Sequence, residues 1–316
     1  MHGPAPSARF NMRVVLPFVL VTLIWGTTWY VIKTQLGVVP PQWSVTYRFA
    51  TAGLIMLAAC LVMRRRLNFS LSAHGFFLVL GLFQFATNFN FVYQASRFVT
   101  SGLIAVAFAL LVVPNAVLSR IFLGHKVSAQ FIGGSLLGFA GVALLFRQEL
   151  LAMEASDGLI FGLGATLIGV LAASIANVMQ ATPRARSYDL FGMLAWAMLY
   201  GAAIDAGFAW AMTGPPIVDP TPLYFGGVFY LAALASALAF VLYFDVIRSI
   251  GPAKAAYSSV IIPFIAMAIS TLLEGYRWTP PAIAGGVLTV IGLVIALRSR
   301  NAPAGTAAAG GTTGRS

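Results

Sequence analysis

FVTSGLIAVAFALLVVPNAVLSRIFLGHKVSAQFIGGSLLGFAGVALLF, residues 98–146, and SIGPAKAAYSSVIIPFIAMAISTLLEGYRWTPPAIAGGVLTVIGLVIAL, residues 249–297, share one outline at an offset of 151. Each is a long apolar run, a short turn of glycine and a basic residue, then a glycine-spaced apolar run. Gly124 falls on Gly275, Lys126 on Arg277, Ser128 on Thr279, Gly134 on Gly285 and Gly141 on Gly292. Few identities survive, but they sit at the same turns. Self-similarity at this spacing divides the chain into two halves.

Working outward, apolar runs fill almost the whole sequence. Hydrophobic residues make up 59% of the chain, charged residues 9%, and the mean hydropathy is +0.89. A soluble domain carries about 25% charged residues, so this chain has too little polar surface to wet a globule. A bilayer crossing needs about 20 mostly apolar residues. Runs of that kind cover 14–33, 43–63, 74–95, 100–122, 128–146, 158–180, 189–212, 224–247, 255–273 and 281–297. The first is too long for a leader peptide and lacks a small-residue cleavage pattern, so it reads as a true first helix. The expected fold is all-α and integral to the membrane, with ten transmembrane helices. Five spans per half is an odd number, so the second half must sit upside down relative to the first, as inverted-topology repeats do. The expected organisation is a tail at 1–13, a first five-helix half at 14–146, an external connection at 147–157, a second half at 158–297 and a disordered tail at 298–316. That last tail, NAPAGTAAAGGTTGRS from Asn301, is low in complexity and has no apolar periodicity.

The net charge of +11 is explained by topology. With the N-terminus inside and sides alternating, Arg9, Arg13, Arg64, Arg65, Arg66, Arg120, Lys126, Arg184, Arg186, Arg248, Lys254, Arg298, Arg300 and Arg315 face inward. Lys33, Arg97, Arg147 and Arg277 face outward, and Arg48 lies within a span. Such an excess is the positive-inside signature, and it places both termini in the cytoplasm. A nucleic-acid partner is not implied.

Chemistry-bearing motifs are missing. Cys60 stands alone, and His2, His74 and His125 are not in metal-ligand spacing. No phosphate loop, zinc motif or nucleophile elbow appears. The chain is therefore not read as an enzyme, and no catalytic residue, metal or cofactor is assigned. Nor does it show the charge rings or filter motif of a channel.

Polar side chains within spans face protein or water, because lipid cannot solvate them. Gln84 and Asn88 are four apart on one helical face, and Ser174 and Asn177 three apart on another. Trp25 and Thr28 in span one, Phe108 in span four, and Tyr257 and Ser258 in span nine complete the cavity candidates. Each polar residue has an alternative role as glue between helices, and each aromatic one as packing. Lys33, Arg48, Asp205 and Glu274 are the candidates for electrostatic or gating roles. Arg48 snorkels or pairs, with Asp205 one partner to consider; Lys33 either anchors at the interface or attracts a carboxylate substrate. Pro114 and Pro263 interrupt spans four and nine and are expected to kink them.

Several stretches, taken together, carry a resemblance: LIWGTTWYVIK at 23–33, YRFATAGL at 47–54, YQASRFVTSGLIA at 93–105, LGHKVSAQFIGGSLLGFAGV at 123–142 and SALAFVLYFDVIRSIGPAKAAYSSVIIPFIAMAISTLLEGYRW at 236–278. In this order and spacing they resemble the EamA-type branch of the drug/metabolite transporter superfamily, over essentially residues 14–297. The resemblance implies two inverted EamA-like five-helix repeats, a central cavity, and outward transport of small metabolites, with amino acids, including aromatic ones, among the substrates. It also implies a bacterial inner membrane. The sequence departs from the family at His125, where many members have Glu; the second repeat has Glu274 before Gly275.

The expected function is a secondary-type carrier of small metabolites, foremost amino acids, working by alternating access between the repeats. Its partners are the lipid bilayer and a small-molecule substrate; a monomer is compatible with this plan. A multidrug exporter of hydrophobic compounds is the alternative, and a membrane-embedded enzyme a more distant one.

Overall fold

The structure is a computed structural model, which describes residues 12–124, 128–152, 157–250 and 258–298. His125, Tyr257 and both tails beyond these limits lie outside the described residues. Among the described residues are no strands, one helical turn at Pro183–Arg186 and ten long helical rods. They are α1 (Met12–Thr34), α2 (Pro41–Val62), α3 (Leu71–Ala95), α4 (Ser101–Leu123), α5 (Ala129–Ala152), α6 (Asp157–Ala181), α7 (Leu190–Thr213), α8 (Pro222–Ile247), α9 (Ser258–Leu273) and α10 (Pro280–Arg298). Seven of the rods are long and apolar enough to cross a bilayer, and α5, α9 and α10 carry shorter apolar stretches. Lipid offers backbone groups no partners, so a helix that closes its own hydrogen bonds is the element such runs adopt.

Local signals set the ends. Pro41, Pro222 and Pro280 open their helices, where a missing N–H costs nothing. Ser70 and Asp189 cap α3 and α7 by accepting from the amides of Ala73 and Gly192. Gly124 and Gly275 end α4 and α9 in the left-handed region, both at φ 70°. A side chain there would strain the turn, and this shared stop is what the repeat of the two turns encodes. Side chains then sort by solvent. Leu54, Leu61, Phe122 and Leu136 are exposed, whereas Arg48, Gln84, Asn88, Asn90 and Asp205 are buried. Apolar outside and polar inside is what a lipid-solvated bundle requires.

The helix pairings exchange when the halves are swapped. α2 packs on its counterpart α7, α5 on α10, and α4 on α9. α1 lies against α8 as α6 lies against α3, and α2 against α8 as α7 against α3. At the α5–α10 crossing a Cβ on Gly134 would collide with the carbonyl of Gly292, and one on Gly141 with the backbone of Gly285 and Thr289. Because Gly134 corresponds to Gly285 and Gly141 to Gly292, these two contacts are one contact seen twice. A pseudo-twofold axis runs through that seam, and backbones approach there because no side chain separates them.

Two loops meet at one end of the bundle. Arg184, after α6, donates to the Ser72 backbone oxygen and hydroxyl at 2.7 Å, and Arg65, after α2, pairs with Asp189 at 3.6 Å. Arg64 and Arg184 therefore share an end.

The two prolines act differently on helix continuity. α4 does break, but at Leu110–Leu111, where the bonding tightens to three-residue turns. The break lies four residues before Pro114 because the ring displaces the carbonyl at that position. Pro263, by contrast, leaves α9 uninterrupted from Ser258 to Leu273; it sits near the start of the described helix and forfeits only the bond to the Ser259 carbonyl. The distortions the sequence did not announce are two π-helical segments, Leu82–Thr87 in α3 and Tyr230–Leu238 in α8. They occupy equivalent spans of the two halves, and each widens its helix beside the cavity.

Candidate functional site

The cavity has a volume of about 120 Å³ and is walled by α1, α2, α3 and α4 of the first half and α6, α8 and α9 of the second. Of the side chains singled out in the sequence, Trp25, Thr28, Gln84, Asn88, Phe108, Asn177, Ser258 and Arg48 line it. Ser174 does not. It is fully buried and donates to Asn115 Oδ1 at 2.8 Å, tying α6 to α4. Trp29, Phe240 and Tyr243 line the cavity as well. Trp29 carried a legible signal, since it lies one turn beyond Trp25 on the same face of α1; Phe240 and Tyr243 follow a π segment that shifts their helical phase.

Aromatic contacts shape the walls. The Trp25 ring packs against Tyr243 at 4.8 Å and Phe240 at 5.4 Å, and its indole N–H donates to the Ala235 carbonyl at 3.2 Å within the α8 π segment. Trp29 packs against Phe108 at 4.9 Å. The first contact fixes α1 to α8 and the second fixes α1 to α4, so one helix carries two aromatic walls.

Polar atoms on these walls are left open. Arg48 Nη1, Trp29 Nε1, Gln84 Oε1 and Asn88 Oδ1 are buried and have no hydrogen-bond partner among the described residues. Asn88 donates to the Gln84 backbone carbonyl at 3.4 Å, which turns its amide oxygen away from that bond. An unsatisfied buried polar atom costs about 1–3 kcal/mol, and folded proteins keep few of them. Four such atoms, two donors and two acceptors, belong to side chains that line one chamber, a wall suited to water or to a polar ligand.

Arg48 is 1% exposed. Its Nε donates to Ser236 Oγ in the α8 π segment at 3.0 Å, and its guanidinium lies 4.2 Å from the Phe89 ring centroid and 5.1 Å from that of Phe49. The Tyr93 hydroxyl is nearby, outside hydrogen-bonding geometry. Asp205 is not its partner. That carboxylate is buried on α7 and accepts from the Asn90 amide of α3, away from the cavity lining.

Lys33 and Glu274 come together, although they are far apart in sequence. Lys33 follows Ile32, a cavity residue, at the end of α1, and its ammonium lies 3.1 Å from Glu274 Oε1 just past α9. Glu274 also accepts from the hydroxyls of Ser101 and Ser270 and from the Ser101 amide at 3.2 Å. Ser101 opens α4, so the carboxylate sits at the positive end of that helix. Burial pushes the Glu274 carboxyl up, but the Ser101 and Ser270 hydrogen bonds and the Lys33 charge outweigh it and hold it below its ordinary value. The cluster ties α1 and α4 of one half to α9 of the other.

A larger groove of about 730 Å³ opens beside α9 and α10, near Phe264, Leu272 and Val287. These side chains are exposed and apolar, and the groove reads as lipid-facing surface.

Comparison with known proteins supports the same architecture. The model of the EamA-like transporter family matches residues 12–147 and again residues 159–298. The chain is 24% identical to Protein PagO of Salmonella typhimurium over 93% of its own length and 95% of the relative's. It is 23% identical to the uncharacterized transporter YoaV of Bacillus subtilis, covering 89% and 96% of the two chains. It is 28% identical to the uncharacterized inner membrane transporter YedA of Escherichia coli K12, covering 80% of each. A solved crystal structure superposes with a TM-score of 0.67 at 18% identity, over 90% of this chain and 96% of the other.

Proposed function

The chain belongs to the EamA-like transporter family, and from that membership we propose that it is a secondary-type carrier for small amphipathic metabolites, amino acids foremost, moved outward by alternating access. The observation that carries this reading is the cavity between the halves. It combines aromatic walls from Trp25, Trp29, Phe108 and Tyr243 with unpartnered donors and acceptors on Arg48, Gln84 and Asn88. An amino acid presents the matching set, an apolar side chain joined to a charged polar head.

A carrier needs no covalent step. It needs two states that bind the substrate with similar affinity, because a substrate much tighter in one state would trap the protein there. The Lys33–Glu274 cluster closes one mouth of the cavity by joining the halves. Rocking one half against the other about the α5–α10 seam parts that cluster and closes the opposite mouth. In this reading the Lys33 end lies outside and both termini in the cytoplasm, which the charge bias of the loops supports, and the membrane is a bacterial inner membrane, as in the name of the Escherichia coli relative.

Counterflow in liposomes tests the proposal. The purified full chain is reconstituted, and uptake of labelled amino acids, sugars, nucleotides and hydrophobic cations is measured against preloaded unlabelled compound. Saturable amino-acid exchange is expected. Flux confined to hydrophobic cations would make the protein a multidrug exporter instead, and chemical conversion of a probe would make it an enzyme.

A further inference from the structure

Among the ionisable side chains at the cavity wall, Arg48 stands out because no carboxylate pairs with it among the described residues. Taking a charge out of water costs several kcal/mol unless it is paired. What Arg48 has in return is neutral company: a hydrogen bond to Ser236, the nearby Tyr93 hydroxyl, and the faces of Phe89 and Phe49. Cation–π contacts offset part of the cost, about 2 kcal/mol when desolvated, but they leave the positive charge uncancelled. Nη1 is buried without a hydrogen-bond partner among the described residues, on a side chain that lines the cavity. The two ring faces and the Ser236 bond hold the guanidinium in a single orientation, so its open donor is already in place for an incoming acceptor.

We infer that Arg48 receives the anionic group of the transported compound, a carboxylate, and that this group is required for binding. The inference rests on the carrier reading above and narrows it. One positive charge in a low-dielectric chamber matches one negative charge; a phosphate dianion would leave excess charge, and among the described residues no lysine lines the wall beside Arg48. A charge-assisted bond from Nη1 to a carboxylate oxygen is about twice as strong as a neutral one. The same charge repels hydrophobic cations. The amide oxygens of Gln84 and Asn88, both unpartnered, accept from an ammonium where the substrate carries one. Trp25, Trp29 and Phe108 then surround the apolar remainder.

The test uses the full chain in detergent micelles and reads tryptophan fluorescence, since Trp25 and Trp29 line the cavity. Four probes are titrated: phenylalanine, 3-phenylpropionate, phenethylamine and phenylalanine methyl ester. Wild-type protein is expected to bind the two carboxylates about tenfold more tightly than the amine and the ester, the step a single charge-assisted bond supplies. Arg48→Gln is expected to bring the four within about twofold of one another, whereas Arg48→Lys keeps most of the preference. Equal binding of ester and acid by the wild type overturns the inference, and so does a preference that survives Arg48→Gln. Should Arg48→Gln fail to fold, the wild-type series and Arg48→Lys decide it alone. Carboxylate preference without counterflow of any compound would sink the carrier reading and leave the anion subsite standing. Counterflow that ignores the carboxylate would do the reverse.

Discussion

Lys33 and Glu274 are joined at 3.1 Å across the two halves of the chain, and the carboxylate of the pair also caps the first turn of α4 through Ser101. Three helix ends therefore depend on one acidic side chain. Replacing Glu274 by Gln keeps its shape and removes its charge. Because the Lys33 side chain is 36% exposed, solvent screens the pair and its contribution is about 1 kcal/mol. That corresponds to a roughly fivefold change in closure. Ile32→Cys, one residue inside the cluster, should react about fivefold faster with an impermeant thiol reagent when combined with Glu274→Gln. Native Cys60 is buried and adds no background. Equal labelling rates would mean that the pair does not seal this mouth.

The same pair fixes a pH dependence. The Glu274 carboxyl is held below its ordinary value by Ser101, Ser270 and Lys33 acting against burial. A lowered carboxyl contributes fully above the ordinary range and is lost as pH falls through the lowered value. The labelling rate of Ile32→Cys, divided by that of the exposed Arg97→Cys to cancel the loss of thiolate with falling pH, should stay flat from neutral pH down to about 4.3, the ordinary glutamate value, and rise only below it. In Glu274→Gln the acid-dependent rise should vanish.

Asn88 and Trp25 are predicted to serve affinity more than folding. Asn88→Ala removes a free amide oxygen, and Trp25→Ala removes one aromatic wall. Each should raise the half-saturating substrate concentration in counterflow by about tenfold, the worth of one good polar or aromatic contact, with the protein still inserted in the membrane. Unchanged affinity in both variants would take them out of the site.

The α5–α10 seam gives a stability contrast on one helix. Gly141→Leu drives a side chain into the backbone of Thr289 and Gly285 and should destabilise by about 1–3 kcal/mol. Gly133→Leu meets open space and should stay within about 0.5 kcal/mol of wild type. Thermal unfolding in detergent measures both, and similar losses would argue against close contact at the seam.

Orientation is checked by loop labelling. Arg64→Cys and Arg184→Cys should react from the cytoplasmic side, and Arg97→Cys from the opposite side. All three positions are exposed. Reaction of Arg64→Cys and Arg184→Cys from different compartments would dismantle the span order itself.

Much of the architecture was legible in the residues. Apolar run length sets where helices lie, and paired glycines such as Gly124 and Gly275 mark equivalent turns because few residues tolerate that backbone. Gln84 and Asn88 could be placed on one face from their spacing alone. Ser174 and Asn177 obeyed the same rule and parted, because the short Ser174 side chain meets Asn115 on a neighbouring helix before it reaches the cavity. The π segments were hidden, since neither LFQFAT nor YLAALASAL contains a proline to announce a change of pitch. The Lys33–Glu274 pair was hidden for another reason: its partners are distant in sequence, and only the packing of α1 against α9 and α4 brings them together.

The pseudo-twofold relation is not carried through to the charges. At the position equivalent to Glu274 the first half has Leu123, next to Gly124. One door of the vestibule therefore has its bolt at the root of α4, while at the other end the halves are tied through their loops, by Arg65 with Asp189 and Arg184 with Ser72. Each turnover has to undo the bolt, and at about 1 kcal/mol for a screened pair it is weak enough for cargo to reopen on every cycle.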